Sequence, residues 1–220
     1  LDHQPVPAAA ADPLPPYFGI DRADVHMVVT PEQASAAREA LLVCDAIGFD
    51  TESKPTFTRG ETSTGPHLIQ FATDKKAWLL QIGDSPEPHI RALLLAVLER
   101  PLPLKIGFGL ADDVKRVHAK LDIRAAGVVD MSVVLRTPGQ RNDLGAKTAV
   151  AKFFGLALQK SKKISVTNWA LPRLSEKQIL YAADDAQVAL RVYRHWIGLG
   201  NTLPPLKPVK LPKPPKNGIS

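Results

Sequence analysis

The stretch Ala46-Ile47-Gly48-Phe49-Asp50-Thr51-Glu52 limits the fold more than any other, because it reads as an apolar strand ending in two carboxylates. Side chains alternate faces along a strand, so Asp50 and Glu52 project from the same side. Carboxylates placed there repel one another and lose hydration unless a cation joins them. Two at this spacing can grip one hard divalent ion through oxygen. Two further acidic motifs lie downstream, Leu110-Ala111-Asp112-Asp113 and Tyr181-Ala182-Ala183-Asp184-Asp185. Any one of these acids alone reads as an ordinary surface charge. Jointly they describe a metal site assembled from distant parts of the chain.

Helical geometry selects one aspartate from each adjacent pair. Leu110, Val114, Val117 and Leu121 form an apolar stripe, and Asp113 lies about 70° from its middle, at the core edge. Asp112 falls almost opposite, where Lys115 or Arg116 can pair with it in solvent. In the third motif Tyr181, Asp185, Val188 and Val192 share a stripe, whereas Asp184 aligns with Gln187 and Arg191. The inward candidates are therefore Asp113, Tyr181 and Asp185. Tyr181 read by itself is core packing.

Around these motifs the pattern is α/β. Thr30-Pro31-Glu32-Gln33 carries an N-cap, a first-turn Pro and a capping-box Gln, predicting a helix to about Leu42. Strands are expected over 46–51, 67–73 and 77–82, the last two joined by the turn-like Asp74-Lys75-Lys76, which favours an antiparallel meander. A helix over 90–98, a strand over 104–108, a helix over 110–121 and a strand over 127–129 suggest parallel additions. Helices over 143–154 and 175–196 complete the chain, the last opened by a Ser175-x-x-Gln178 capping box.

At 220 residues there is room for one such domain, with a Pro/Ala-rich segment over 1–24, a body over 25–197 and a basic Pro-rich tail over 198–220. Both end segments are expected to be extended and mobile. The net charge of +6 includes Lys207, Lys210, Lys213 and Lys216 of the tail, so the body carries 6 − 4 = +2. A local cationic groove would matter more to a polyanion partner than overall charge. No apolar run is long enough to span a membrane and no secretory leader is evident, which leads us to expect a soluble protein. Cys44, the single cysteine, excludes an internal disulfide and fits a cytoplasmic location.

The three motifs, taken in order, resemble those of the 3′-to-5′ exonuclease superfamily with the Asp-Glu-Asp-Asp signature, in its tyrosine-containing branch. Phe49-Asp50-Thr51-Glu52 matches the first motif, Lys105-Ile106-Gly107-Phe108-Gly109-Leu110 with Asp113 the second, and Tyr181 with Asp185 the third. Thr167-Asn168-Trp169, Leu174-Ser175 and Tyr181-Ala182-Ala183-x-Asp185-Ala186 are similar to the group containing the Werner syndrome protein's exonuclease domain and its small bacterial relatives. The resemblance covers about residues 25–197. It implies a ribonuclease H-like fold, a mixed five-stranded sheet flanked by helices on both faces.

It also implies a function: hydrolysis of DNA or RNA from the 3′ end, releasing nucleoside 5′-monophosphates, with two Mg²⁺ or Mn²⁺ ions. By resemblance Asp50, Glu52 and Asp185 would hold one ion, Asp50 would bridge to a second supported by Asp113, and Tyr181 would orient the attacking water. An all-oxygen donor set favours these hard cations over zinc, and the six histidines read as incidental. Thr51 and Phe108 are placed near the terminal nucleotide by resemblance, although Phe108 also fits plain core. Lys160, Lys162 and Lys163, followed by Asn168 and Trp169, form a basic segment with an aromatic. Lys162, Lys163 and Trp169 suit phosphate contact and base stacking, against the alternative of a solvated loop with Trp169 packed onto the domain. Arg59, in the loop 54–66, is a weaker candidate. The competing readings are a noncatalytic nucleic-acid-binding module that keeps this fold, and an oligomeric scaffold recruiting partners through its tail.

Overall fold

The computed structural model describes residues 13–58, 60–136 and 144–206. Its centre is a six-stranded sheet in the order β1-β4-β3-β2-β5-β6. The strands are β1 (Val25–Met27), β2 (Ala46–Glu52), β3 (Leu68–Ala72), β4 (Ala77–Gln81), β5 (Leu104–Gly107) and β6 (Val128–Asp130). β2, β3 and β4 form the expected antiparallel meander, and β5 and β6 add parallel to β2. The sixth strand corrects the five-stranded expectation. β1 lies at the edge, parallel to β4, with Val25 opposite Ala77. Three residues reading Val-His-Met, with Val25 buried and His26 exposed, are too short for a legible alternation.

Helices cover both faces. On one lie α1 (Pro31–Leu42), α2 (Pro88–Leu98) and α3 (Ala111–Leu121), whose apolar side chains meet Ile47, Phe49, Ile69, Phe71 and Leu80 from the sheet. On the other lie α4 (Met131–Val134), α5 (Ala146–Phe154), α6 (Lys162–Ser165) and the long α7 (Glu176–Gly198). Both predicted capping boxes form, Thr30 with Gln33 and Ser175 with Gln178. The expected start of α5 at Asp143 lies outside the described residues, as do Arg59 and the four tail lysines. No helix among the described residues is long and apolar enough to cross a membrane.

Two details set the spacing that the site depends on. Alternation along β2 sends Ile47 and Phe49 to the α1–α3 side, and Gly48, Asp50 and Glu52 towards α7. At Gly48 the backbone of α7 comes so close that a Cβ would sit 2.0 Å from the Ala186 carbonyl oxygen. Glycine thus lets α7 settle onto the strand one residue after Asp185.

Residues 13–20 are extended, as composition implied, yet docked. Tyr17 donates its backbone N–H to Ala157 O and Ala157 donates to Pro15 O, while Arg191 Nη1 donates to Tyr17 Oη at 2.9 Å. Asp184 receives the Ile20 N–H at 2.8 Å. The neighbour of Asp185 therefore fastens a strap across α7.

Candidate active site

Asp50, Glu52 and Asp185 each bring a carboxylate oxygen within 4.8 Å of the others. Asp50 and Glu52 come from the end of β2 and Asp185 from the buried face of α7, as alternation and the helical stripe predict. Asp113 arrives from the first turn of α3 on the opposite side of the sheet. It accepts a hydrogen bond from Thr51 Oγ1, and Thr51, lying between the two strand acids, points to that side and is buried. Asp112 pairs with Lys115 at 2.9 Å in solvent.

Burial raises the pKa of all four site acids. For Asp50 the pKa lies well above the carboxylate range, first because of burial and then because of the charges of Asp113, Asp185 and Glu52. Glu52 is pushed up to about 8, by burial and then by Asp185. Burial also raises Asp113, against the Thr51 hydrogen bond, and Asp185, against the attraction of Lys160. The Tyr181 hydroxyl is raised by burial and then by Asp185, Glu52 and Asp50, so it stays protonated and acts as a hydrogen-bonding group. Among the described residues, four acids at close quarters faced by one ammonium make an excess of negative charge that divalent metal would relieve. With oxygen as the sole donor type, the site fits Mg²⁺ or Mn²⁺.

Lys160 is the ammonium in question. Its Nζ lies 2.9 Å from Asp185 Oδ1 and 5.9 Å from the centre of the Tyr181 ring. Lys162 and Lys163, the neighbours singled out from sequence, begin the short α6 and are exposed. Trp169 corrects an expectation. It is completely buried, with Nε1 donating to Ser165 O and its ring 6.0 Å from that of Tyr181, so it backs the tyrosine and offers no face to a base. Gln178 holds this corner, donating Nε2 to Thr167 Oγ1 and the Asn168 carbonyl. Phe108 is partly buried against the cluster built on α5 and α7.

Three supporting residues escaped the sequence reading. Asp130, at the end of β6, accepts the backbone N–H groups of Gly109 and Leu110 at 2.8 and 3.0 Å, fixing the turn that launches α3. His67 is buried and closes the loop after the first motif. Its Nδ1 accepts from Lys54 N at 3.0 Å and its Nε2 faces Thr64 Oγ1 at 3.2 Å, so it is an anchor and not incidental. Desolvation, then Lys120 and Lys54, lower its pKa, which keeps Nδ1 free to accept. Asp184 is the third, through its strap. The contacts of Asp130 with Gly109 and Leu110, of His67 with Lys54 and of Asp184 with Ile20 are set by the tertiary fold, so no local spacing signals them.

A family model described as 3′-5′ exonuclease matches residues 25–196. The chain belongs to this 3′-5′ exonuclease family. It is 28% identical over 200 residues to the exonuclease mut-7 homolog of Homo sapiens, covering 80% of this chain and 22% of that protein. It is also 28% identical over 160 residues to the bifunctional 3′-5′ exonuclease/ATP-dependent helicase WRN of Mus musculus, covering 72% of this chain and 11% of that protein. The chain thus spans a small part of these relatives. Among solved structures, the Aedes aegypti Nibbler EXO domain superposes with a TM-score of 0.67 at 24% identity, covering 82% of this chain and 92% of that one. Escherichia coli RNase D gives 0.65 at 23% identity, covering 80% and 46%. These likenesses confirm the ribonuclease H-like exonuclease fold, with its mixed sheet between helical layers.

Proposed function

We propose that this family member is an active, divalent-metal-dependent 3′-5′ exonuclease acting on nucleic-acid phosphodiesters and releasing nucleoside 5′-monophosphates. The observation that carries the reading is the convergence of Asp50, Glu52 and Asp185, with Asp113 beside them, in a partly buried all-oxygen cluster. Mere nucleic-acid binding does not call for carboxylates that repel phosphate, which weighs against a noncatalytic module.

In this reading Asp50, Glu52 and Asp185, with Asp113 beside them, would hold the divalent metal, Mg²⁺ or Mn²⁺. When bound, such ions promote ionisation of the attacking water and neutralise charge at the leaving 3′ oxygen. Tyr181, kept protonated, orients that water by hydrogen bonding. Thr51 and Phe108 flank the terminal nucleotide, and exposed Lys162 and Lys163 meet the incoming backbone. We assign this activity to the body over 25–197, with the basic stretch 198–220 as a tail. Trypanosoma brucei RNase D has been solved in complex with RNA U12 and shares the fold, with a TM-score of 0.69. RNA therefore stands beside DNA among the substrates to be compared.

The test is digestion of 5′-labelled single-stranded DNA and RNA, and of a recessed duplex, with Mg²⁺, Mn²⁺ or EDTA. The expected result is a ladder shortening from the 3′ end, abolished by EDTA and by Asp50→Ala. Nucleic-acid binding without hydrolysis by folded protein would instead establish the noncatalytic module.

A further inference from the structure

We propose that Lys160 is a phosphate-positioning residue, stored against Asp185 in the metal-free protein and released to the substrate's scissile phosphate when metal takes that carboxylate. The inference rests on the exonuclease reading above. Lys160 Nζ lies 2.9 Å from Asp185 Oδ1. Asp185 is almost completely buried, so this is a pairing inside the site and not a surface ion pair. The same ammonium feels Asp50 and Glu52, and its Nζ lies over the Tyr181 ring. It is therefore the resident counter-cation of the cluster that metal must enter.

Metal entry changes its partners. A divalent ion held by Asp185 would neutralise the charge that holds the ammonium. The side chain retains a path to solvent, with 29% of its surface exposed, so it can swing rather than be trapped. Lysine suits the exchange, since its compact charge on a four-carbon stem turns between acceptors without a fixed fork geometry. The nearest new anion is the substrate phosphate itself. Lys162 and Lys163, exposed on α6, have no comparable contact with the cluster.

Two consequences separate this from a packing role. Lys160 competes with metal before substrate arrives, and it contributes to phosphate binding afterwards. The experiment uses the full chain and compares Lys160→Met with wild type and with Lys160→Arg, which keeps the charge. Titration calorimetry with Mn²⁺ alone is expected to show about tenfold tighter binding by Lys160→Met, one pair no longer being broken, with Lys160→Arg near wild type. Adenosine 5′-monophosphate and its 2′-deoxy counterpart, titrated into the Mn²⁺-saturated proteins, should bind Lys160→Met about tenfold more weakly. Circular dichroism of the Mn²⁺-loaded variants controls for folding. Unchanged affinity for either Mn²⁺ or the nucleotides overturns the proposal. Failure of the wild type itself to bind Mn²⁺ would instead overturn the metal-dependent exonuclease reading.

Discussion

Thr51 joins the two halves of the acidic cluster at the scale of a single side chain. Its neighbours Asp50 and Glu52 face α7, while its own hydroxyl reaches across to Asp113 on α3. Replacing it with Val keeps the shape of a strand residue and removes the donor. We expect Thr51→Val to lower kcat on a 3′-labelled-end assay by about tenfold to a hundredfold, the range for losing a partner that orients a metal-site ligand. Thr51→Ser should stay near wild type, and equal losses in both variants would sink this role. The acids themselves were legible because strand alternation and the 3.6-residue helical period assign faces directly. Lys160, Asp130 and His67 were not. Their long-range partners, Asp185, then Leu110 and Gly109, then Lys54, lie 25, 20 and 21, and 13 positions away respectively, where periodicity carries no information.

Among the elements, the contact between α7 and β2 decides whether the carboxylates meet at all. Gly48 leaves room for the helix backbone, and a methyl group there would collide with the Ala186 carbonyl, one residue from Asp185. Gly48→Ala should therefore destabilise the fold by about 3 kcal/mol through overpacking, read as a lower urea midpoint at unchanged slope. A midpoint equal to wild type would show that α7 has slack against the sheet. The strap offers a milder test. Asp184→Ala leaves the Ile20 N–H without its acceptor, and we expect a loss of about 1–3 kcal/mol with faster amide exchange confined to residues 15–20. Exchange unchanged there would mean the strap is held without Asp184. Long elements with caps were readable from sequence, α1 and α7 above all. The short ones, β1, α4 and α6, were not, since three or four residues form because neighbours are already in place.

For the whole molecule, an acidic centre makes stability depend on pH and metal together. Each site carboxyl has a folded-state pKa raised first by burial, Glu52 to about 8, and for Asp50 and Glu52 also by neighbouring carboxylates. In an unfolded chain Glu ionises near ~4.3. Between these values the folded protein binds the extra proton, so stability present below the unfolded pKa is lost as pH rises towards the folded one. Metal held by these carboxylates would remove this penalty by stabilising their ionised form. The melting temperature in EDTA should therefore fall below that in Mg²⁺ by a gap that widens from pH 5 to pH 8, and a constant gap would contradict the coupling. The three-layered α/β/α plan was legible because its strands and helices alternate with clear periods, whereas the docking of residues 13–20 depends on surfaces that exist only once α5 and α7 have formed.

Asp50 and Asp185 stand 185 − 50 = 135 positions apart. The helix carrying the second leaves a ribosome after the strand and the helix that carry the other three acids. Until that helix docks, the first three acids have no fourth to meet. A nascent chain therefore holds an incomplete acidic cluster until synthesis of the domain is all but complete.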